Sequence, residues 1–166
     1  MTVGLGLARR PWLPAALLPV VLVAAALTLP HGVAADETFD VRLSAAPRDA
    51  SMRDVIAGSG SATVTLRGHS LTVAGSFGGF TTPATNAELR QGPAVAVRGP
   101  AIHALTLAKN GGGTSGSFTG VITLSDAELA SLNSGRIYLQ LASESAPDGN
   151  VWGWLLPSTA QIVRDR

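Results

Sequence analysis

The chain has 166 residues and no cysteine, with twelve Lys and Arg against eleven Asp and Glu for a formal net charge of +1. This excludes disulfides, thiolate metal sites, haem attached through cysteine and a lipid anchor on cysteine. The near balance of charge leaves no basic patch of the kind that nucleic-acid binding needs, so no nucleic-acid partner is expected.

Residues 1–35 read as an export leader. Arg9 and Arg10 form a basic start, Trp12 to Leu29 is an apolar run interrupted by Pro14 and Pro19, and Val33-Ala34-Ala35 supplies the small residues a signal peptidase requires. Cleavage is expected between Ala35 and Asp36, leaving residues 36–166 as a single extracytoplasmic domain, periplasmic or secreted, without a membrane span. A retained anchor is the alternative. Arg9-Arg10 also resembles the pair of a twin-arginine signal, so the export route stays open.

From there the pattern is that of short strands. Phe39, Val41 and Leu43 alternate with Asp40 and Arg42, predicting a strand over 39–44. Residues 45–58 are polar and irregular and read as a loop. Ala62, Val64 and Leu66, then Leu71, Val73 and Phe77, alternate on either side of Arg67-Gly68-His69-Ser70, which predicts a hairpin over 60–77. Gly78 to Pro83 breaks the pattern. Asn86 to Arg90 is a short extended piece, Ala101 to Leu107 another strand, Asn110 to Gly116 a flexible tip, and Phe118 to Leu124 the strand after it. Ser125 and Glu128 have the spacing of a capping box, with Leu124 and Leu129 placed as a hydrophobic staple, and Gly135 offers the positive φ that ends a helix. Ile137, Leu139 and Leu141 then alternate with Tyr138, Gln140 and Ala142. Ala146-Pro147-Asp148-Gly149 has the chemistry of a turn, and Val151 to Leu155 completes a hairpin. Ala160 to Val163 is expected to add a last strand. The sum is an all-β protein, an antiparallel Greek-key-like β-sandwich with one short helix before the closing hairpin.

The catalytic candidates are few. His69 falls in a turn and His103 in a strand, expected on one face with Ala101 and Leu105. Two histidines with help from Glu88 fall short of the three convergent ligands that a metal site uses, so no metal and no cofactor is expected. No serine sits in a nucleophile elbow. Glu88 with Asp148 or Glu144 makes a formal carboxylate pair of the kind glycosidases use, but acidic residues in turns are ordinarily solvated. The glycines of 110–116 follow no strand-to-helix phosphate pattern.

Aromatic residues give the other candidate. Trp152 and Trp154 are two apart in one strand and so project to one face. Tyr138, Gln140 and Ala142 share that face if the hairpin is in register, and Glu88 and Arg90 are placed to border it. One reading has the tryptophans filling core volume. The other makes Tyr138, Trp152, Trp154, Glu88, Arg90 and Gln140 a contact surface for a protein, a glycan or an apolar ligand. Burial of the tryptophans on the inner face would remove the second.

Taken together, Val41-Arg42-Leu43-Ser44, Leu71-Thr72-Val73, Pro83-Ala84-Thr85-Asn86-Ala87, Arg98-Gly99-Pro100, the helix from Leu124 to Leu132 and Gly135-Arg136-Ile137-Tyr138 occur in the order of a known module. With Pro147-Asp148-Gly149-Asn150-Val151-Trp152-Gly153-Trp154-Leu155 at the end, the stretch from Phe39 to Leu156 resembles the CHRD domain, named for chordin and widespread in bacterial exported proteins. That resemblance implies the fold and the location more than an activity. The family usually carries histidines where this chain has Glu88, Arg90 and Ala142, and acidic and arginine residues where it has Asn150 and Trp152. If relatives hold a metal with those histidines, this chain is expected not to. The expected function is therefore a non-enzymatic binding or interaction module. A metal-handling or enzymatic sandwich, by fold-level analogy with copper-zinc superoxide dismutase, and a purely structural envelope protein are the alternatives.

Overall fold

The computed structural model describes residues 1–2, 36–45, 52 and 55–156. The leader, its cleavage site and the expected strand at Ala160–Val163 lie outside the described residues. The chain divides into two compact units, Met1–Gly32 and Val33–Arg166, and every described strand belongs to the second. None of the described helices is long and apolar enough to cross a membrane.

Eight strands are described: β1 (Glu37–Ala45), β2 (Ser59–Arg67), β3 (Ser70–Gly78), β4 (Ala84–Gln91), β5 (Ala101–Lys109), β6 (Gly116–Thr123), β7 (Ile137–Ser143) and β8 (Ala146–Trp154), with one helix, α1 (Asp126–Asn133), between β6 and β7. They close into one barrel in the order β1-β2-β3-β6-β5-β4-β7-β8, with β8 returning to β1. The expected sandwich is thus corrected to a closed barrel. The period-two alternation is the same in both, because each has one inward and one outward face. What separates them is the pairing of the first strand with the last, Ser44 against Trp152 and Ala45 against Val151, which no local pattern encodes. Closure removes the free edges a sandwich would leave.

The Greek-key character is retained in two crossovers. Gly79–Pro83 carries the chain from β3 past β6 and β5 to β4 at one end of the barrel. At the other end, α1 lies in the connection from β6 past β5 and β4 to β7. The interior is filled by the inward residues of every strand, among them Phe39, Val64, Leu71, Leu89, Phe118 and Leu139, each at most 2% exposed. Burying a side chain of this size contributes about 1.5–3 kcal/mol. Phe118 lies over Gly75 on the neighbouring strand; a Cβ there would stand 2.3 Å from the ring, so the glycine makes room for the aromatic.

Helix α1 follows its sequence closely. The Ser125 hydroxyl accepts the Glu128 N–H at 3.3 Å and Glu128 Oε2 accepts the Ser125 N–H at 2.8 Å, completing the capping box. Gly135 has φ +66°; its N–H donates to Leu132 O and the Arg136 N–H to Ser131 O, which is the Schellman ending. Leu124 and Leu132 are buried in the core, and Leu129 packs against it.

Three local expectations differ from the structure. The closing hairpin turns at Glu144–Ser145, since Ser143 pairs with Ala146. The Glu144 N–H donates to Pro83 O, and the Ser145 N–H donates to the Thr82 hydroxyl, so the β3–β4 crossover anchors the turn. Pro147-Asp148-Gly149 becomes a bulge inside β8, with Gly149 at φ +118° packed on Gln140. In β5, a register shift pairs Leu89 with His103 but Arg90 with Ala101, which puts Ala101 on the outer face, opposite His103 and Leu105. The tip after β5 is a single 3-10 turn, Gly111–Gly113, tied by the Asn110 N–H to Ser115 O at 3.0 Å and the Phe80 N–H to Thr114 O at 3.1 Å.

Candidate functional site

The register assembles the six residues singled out from sequence on one outer face of β4, β7 and β8. Glu88 pairs with Gln140 and Gln140 with Trp152, while Arg90 pairs with Tyr138 and Tyr138 with Trp154. These are two adjacent cross-strand rows, because outward residues recur every second position. Both tryptophans are half-buried, while Val151, Gly153 and Leu155 between and beyond them are buried inward. The reading that placed the tryptophans in the core is therefore set aside.

The surface is not flat. Tyr138 is 0% and Gln140 3% exposed, and all residues of β7 are buried on both faces. What covers them is the aromatic pair together with a strap, residues 92–100, that folds back over the face from the β4–β5 connection. The Trp154 ring lies 4.5 Å from Tyr138, the Trp152 ring stands edge-on to Tyr138 at 6.0 Å, and the two indoles are 6.2 Å apart, centroid to centroid. These separations are in the range where aromatic pairs attract beyond their area. The Tyr138 hydroxyl donates to Gly99 O at 3.1 Å and accepts the Gly99 N–H at 3.0 Å. Arg90 Nε also donates to Gly99 O, at 3.0 Å. Arg98 places its guanidinium 4.2 Å from the Trp152 centroid, a cation–π contact, and donates to Asp148 O at 3.0 Å. Gly92 passes so close to Trp154 that a Cβ there would stand 3.0 Å from the indole.

Glu88 and Arg90 form a half-buried ion pair at 2.6 Å, with Asn86 donating to the other Glu88 oxygen at 3.1 Å. Glu88 is thereby matched to a guanidinium rather than to a second carboxylate. Ala142, opposite Asn86, completes the set of positions where the resemblance predicts histidines; an ion pair and a methyl group stand there. Among the described residues, no three His, Asp or Glu side chains converge on one point.

The histidines lie elsewhere. His69, in the turn between β2 and β3, is half exposed, and its Nδ1 donates to Leu124 O at 2.9 Å while the Leu124 N–H donates to His69 O at 2.8 Å. It clamps the β2–β3 turn to the entry of α1. His103 faces inward at the α1 end of the barrel with Nε2 2.8 Å from Glu128 Oε1. Glu128 is held below the usual carboxylate range, chiefly by the Ser125 N–H, then by the Ser125 hydroxyl and His103. One carboxylate so joins the helix cap to β5.

Sequence reasoning missed Arg98 and Gly99 as parts of this site. The available signal was the pair of Gly-Pro steps, Gly92-Pro93 and Gly99-Pro100, bracketing a short excursion with one arginine. Val95 and Val97 in the strap, and Leu156 after β8, are exposed apolar residues. Val95 and Leu156 both approach Gly135, which puts an apolar rim at the α1 end of the barrel.

The described residues thus make a closed, all-β Greek-key barrel with an aromatic cluster on its outer wall. The CHRD domain family matches residues 39–155, and the chain belongs to that family. No curated protein and no solved structure matches it.

Proposed function

We propose that this protein is a non-enzymatic, extracytoplasmic binding module of CHRD type, and that its contact surface is centred on Trp152 and Trp154. The single observation that carries this reading is the orientation of the two indoles: both project outward, half-buried, from a wall whose inward positions are fully packed without them. Tyr138 and Gln140 act beneath them as buried supports, and the Glu88–Arg90 pair borders the surface with hydrogen-bonding groups. Clamping by Arg98 and Gly99 fixes the aromatic geometry before a ligand arrives, so little side-chain entropy is left to lose on binding. The partner is an extracytoplasmic protein, a glycan or an apolar molecule. Membership of the CHRD family supports an extracellular-type module.

The test is a glycan array and a set of apolar probes applied to the purified protein, read by tryptophan fluorescence, with Trp152→Ala as the comparison. Saturable binding that shifts the indole emission and weakens at least tenfold in a folded Trp152→Ala variant is the expected result. Stoichiometric, tight uptake of copper or zinc would favour the metal-handling alternative, and binding indifferent to Trp152 would remove this surface from the function.

A further inference from the structure

Around the barrel from the tryptophans lies a second outer surface of different chemistry. Trp152 is the cross-strand neighbour of Ser44 in β1, and Ser44 of Ser59 in β2. In the adjoining rows, Arg42 stands beside Ser61 and Ser61 beside Ser76, while Asp40 stands beside Thr63 and Thr63 beside Ala74. Apart from Arg42 and Asp40 the outward side chains here are small, all are exposed, and they leave a shallow, open trough over β1, β2 and β3 that continues past Ser59 and Gly78 toward the end of the barrel.

The charges in this trough are uneven in what they already hold. Asp40 Oδ1 lies 3.5 Å from the Thr63 hydroxyl, which points at it. Arg42 is exposed and, among the described residues, has no carboxylate partner and no side-chain hydrogen bond. A guanidinium left in this state is a planar double donor suited to a carboxylate. Around it the hydroxyls of Ser61, Thr63 and Ser76 both donate and accept, as a polyol requires. Strands repeat every 4.7–4.9 Å or so, and crossing from β8 to β3 therefore spans about 15 Å, the reach of a few sugar units rather than one.

We propose that this surface binds an acidic oligosaccharide laid across the strands, with an isolated uronate carboxylate on Arg42, sugar hydroxyls along Ser61, Thr63 and Ser76, and a sugar face against the Trp152 end. Across the strands Arg42 is followed by Ser61 and Ser76, which carry no charge, so one carboxylate is paired and those of the next sugars gain no cation, and the surface favours glycans whose acidic sugars alternate with neutral ones over chains that are acidic at every residue. The proposal deepens the binding-module reading by naming its ligand class, and it rests on that reading for the aromatic contact.

The experiment titrates the purified protein with a glucuronate–N-acetylglucosamine hexasaccharide, with neutral chitohexaose, with oligogalacturonate and with sodium acetate, by calorimetry. The expected result is tightest binding of the alternating glycan, at least tenfold weaker binding of the other two glycans, and no competition by acetate at millimolar concentration. Arg42→Gln, at an exposed position where folding is not at issue, should weaken the alternating glycan about ten- to hundredfold, bringing it down toward the affinity of chitohexaose. Equal affinity for acidic and neutral glycans, or indifference to Arg42→Gln, would overturn the assignment. Loss of glycan binding in Trp152→Ala with no effect of Arg42→Gln would keep the aromatic surface and sink the acidic ligand. Loss in Arg42→Gln with none in Trp152→Ala would keep the trough and sink the aromatic contact.

Discussion

The strap over β7 depends on one hydroxyl, and Tyr138→Phe isolates it. The ring, its burial and both indole contacts survive this change; only the oxygen goes. Two hydrogen bonds go with it, from Tyr138 to Gly99 O at 3.1 Å and from the Gly99 N–H at 3.0 Å. The carbonyl keeps the Arg90 Nε donor, so its loss is partly compensated, whereas the Gly99 N–H is left without a partner in a half-buried position. A net hydrogen bond contributes about 0.5–1.5 kcal/mol and an unsatisfied half-buried donor toward the upper end of that range. The variant should therefore lose about 1–2.5 kcal/mol. Urea unfolding followed by tryptophan fluorescence and far-ultraviolet circular dichroism measures that loss. Native-state hydrogen exchange should show the Gly99 amide opening faster while amides of β2 and β3 change only by the global loss. A destabilisation below about 0.5 kcal/mol, with unchanged exchange at Gly99, would mean that Arg98 on Trp152 and Gly92 against Trp154 hold the strap without the tyrosine.

Two further outcomes follow from the same geometry. Glu128 is more acidic folded than unfolded, so its contribution is present above its ordinary value of 4.5 and is lost as pH falls through the lower folded value; the gap in urea midpoint between the native protein and Glu128→Gln should be wide at pH 7 and shrink below pH 4.5. Gly149→Ala forces a side chain into φ +118° with its Cβ 2.7 Å from Gln140 Cδ, and should cost about 2 kcal/mol or more, read as a lowered thermal midpoint; an unchanged midpoint would show that the β8 bulge can relax.

What the sequence disclosed, and what it withheld, divides by range. Strands β1 to β3 and the α1 cap were legible because alternation and the Ser125–Glu128 spacing are local signals. The co-facing of Glu88, Arg90, Tyr138, Gln140, Trp152 and Trp154 was legible too, since it needs only period two and the β7–β8 pairing. The turn at Pro147-Asp148-Gly149 was misplaced because its residues do have turn chemistry. The Thr82 hydroxyl and Pro83 carbonyl, some sixty residues earlier, hold the real turn at Glu144–Ser145. Barrel closure and the Arg98 strap were hidden for the same reason: each depends on partners distant in sequence, and a lone arginine in a loop looks the same whether it points to water or lies on an indole.

The pairing of β1 with β8 has a consequence for how the molecule comes into being. The first strand formed must wait for the last, so Ser44 and Ala45 lack their pairing partners, and buried Val41 and Leu43 their contact with Gly153, until the chain is nearly complete. Such long-range pairing slows folding and prolongs the time that strand borders stand open. A nonsense mutation ahead of Ala146 would turn the transient into a permanent condition, exposing β1 and β7 together and converting a self-contained molecule into one inclined to aggregate.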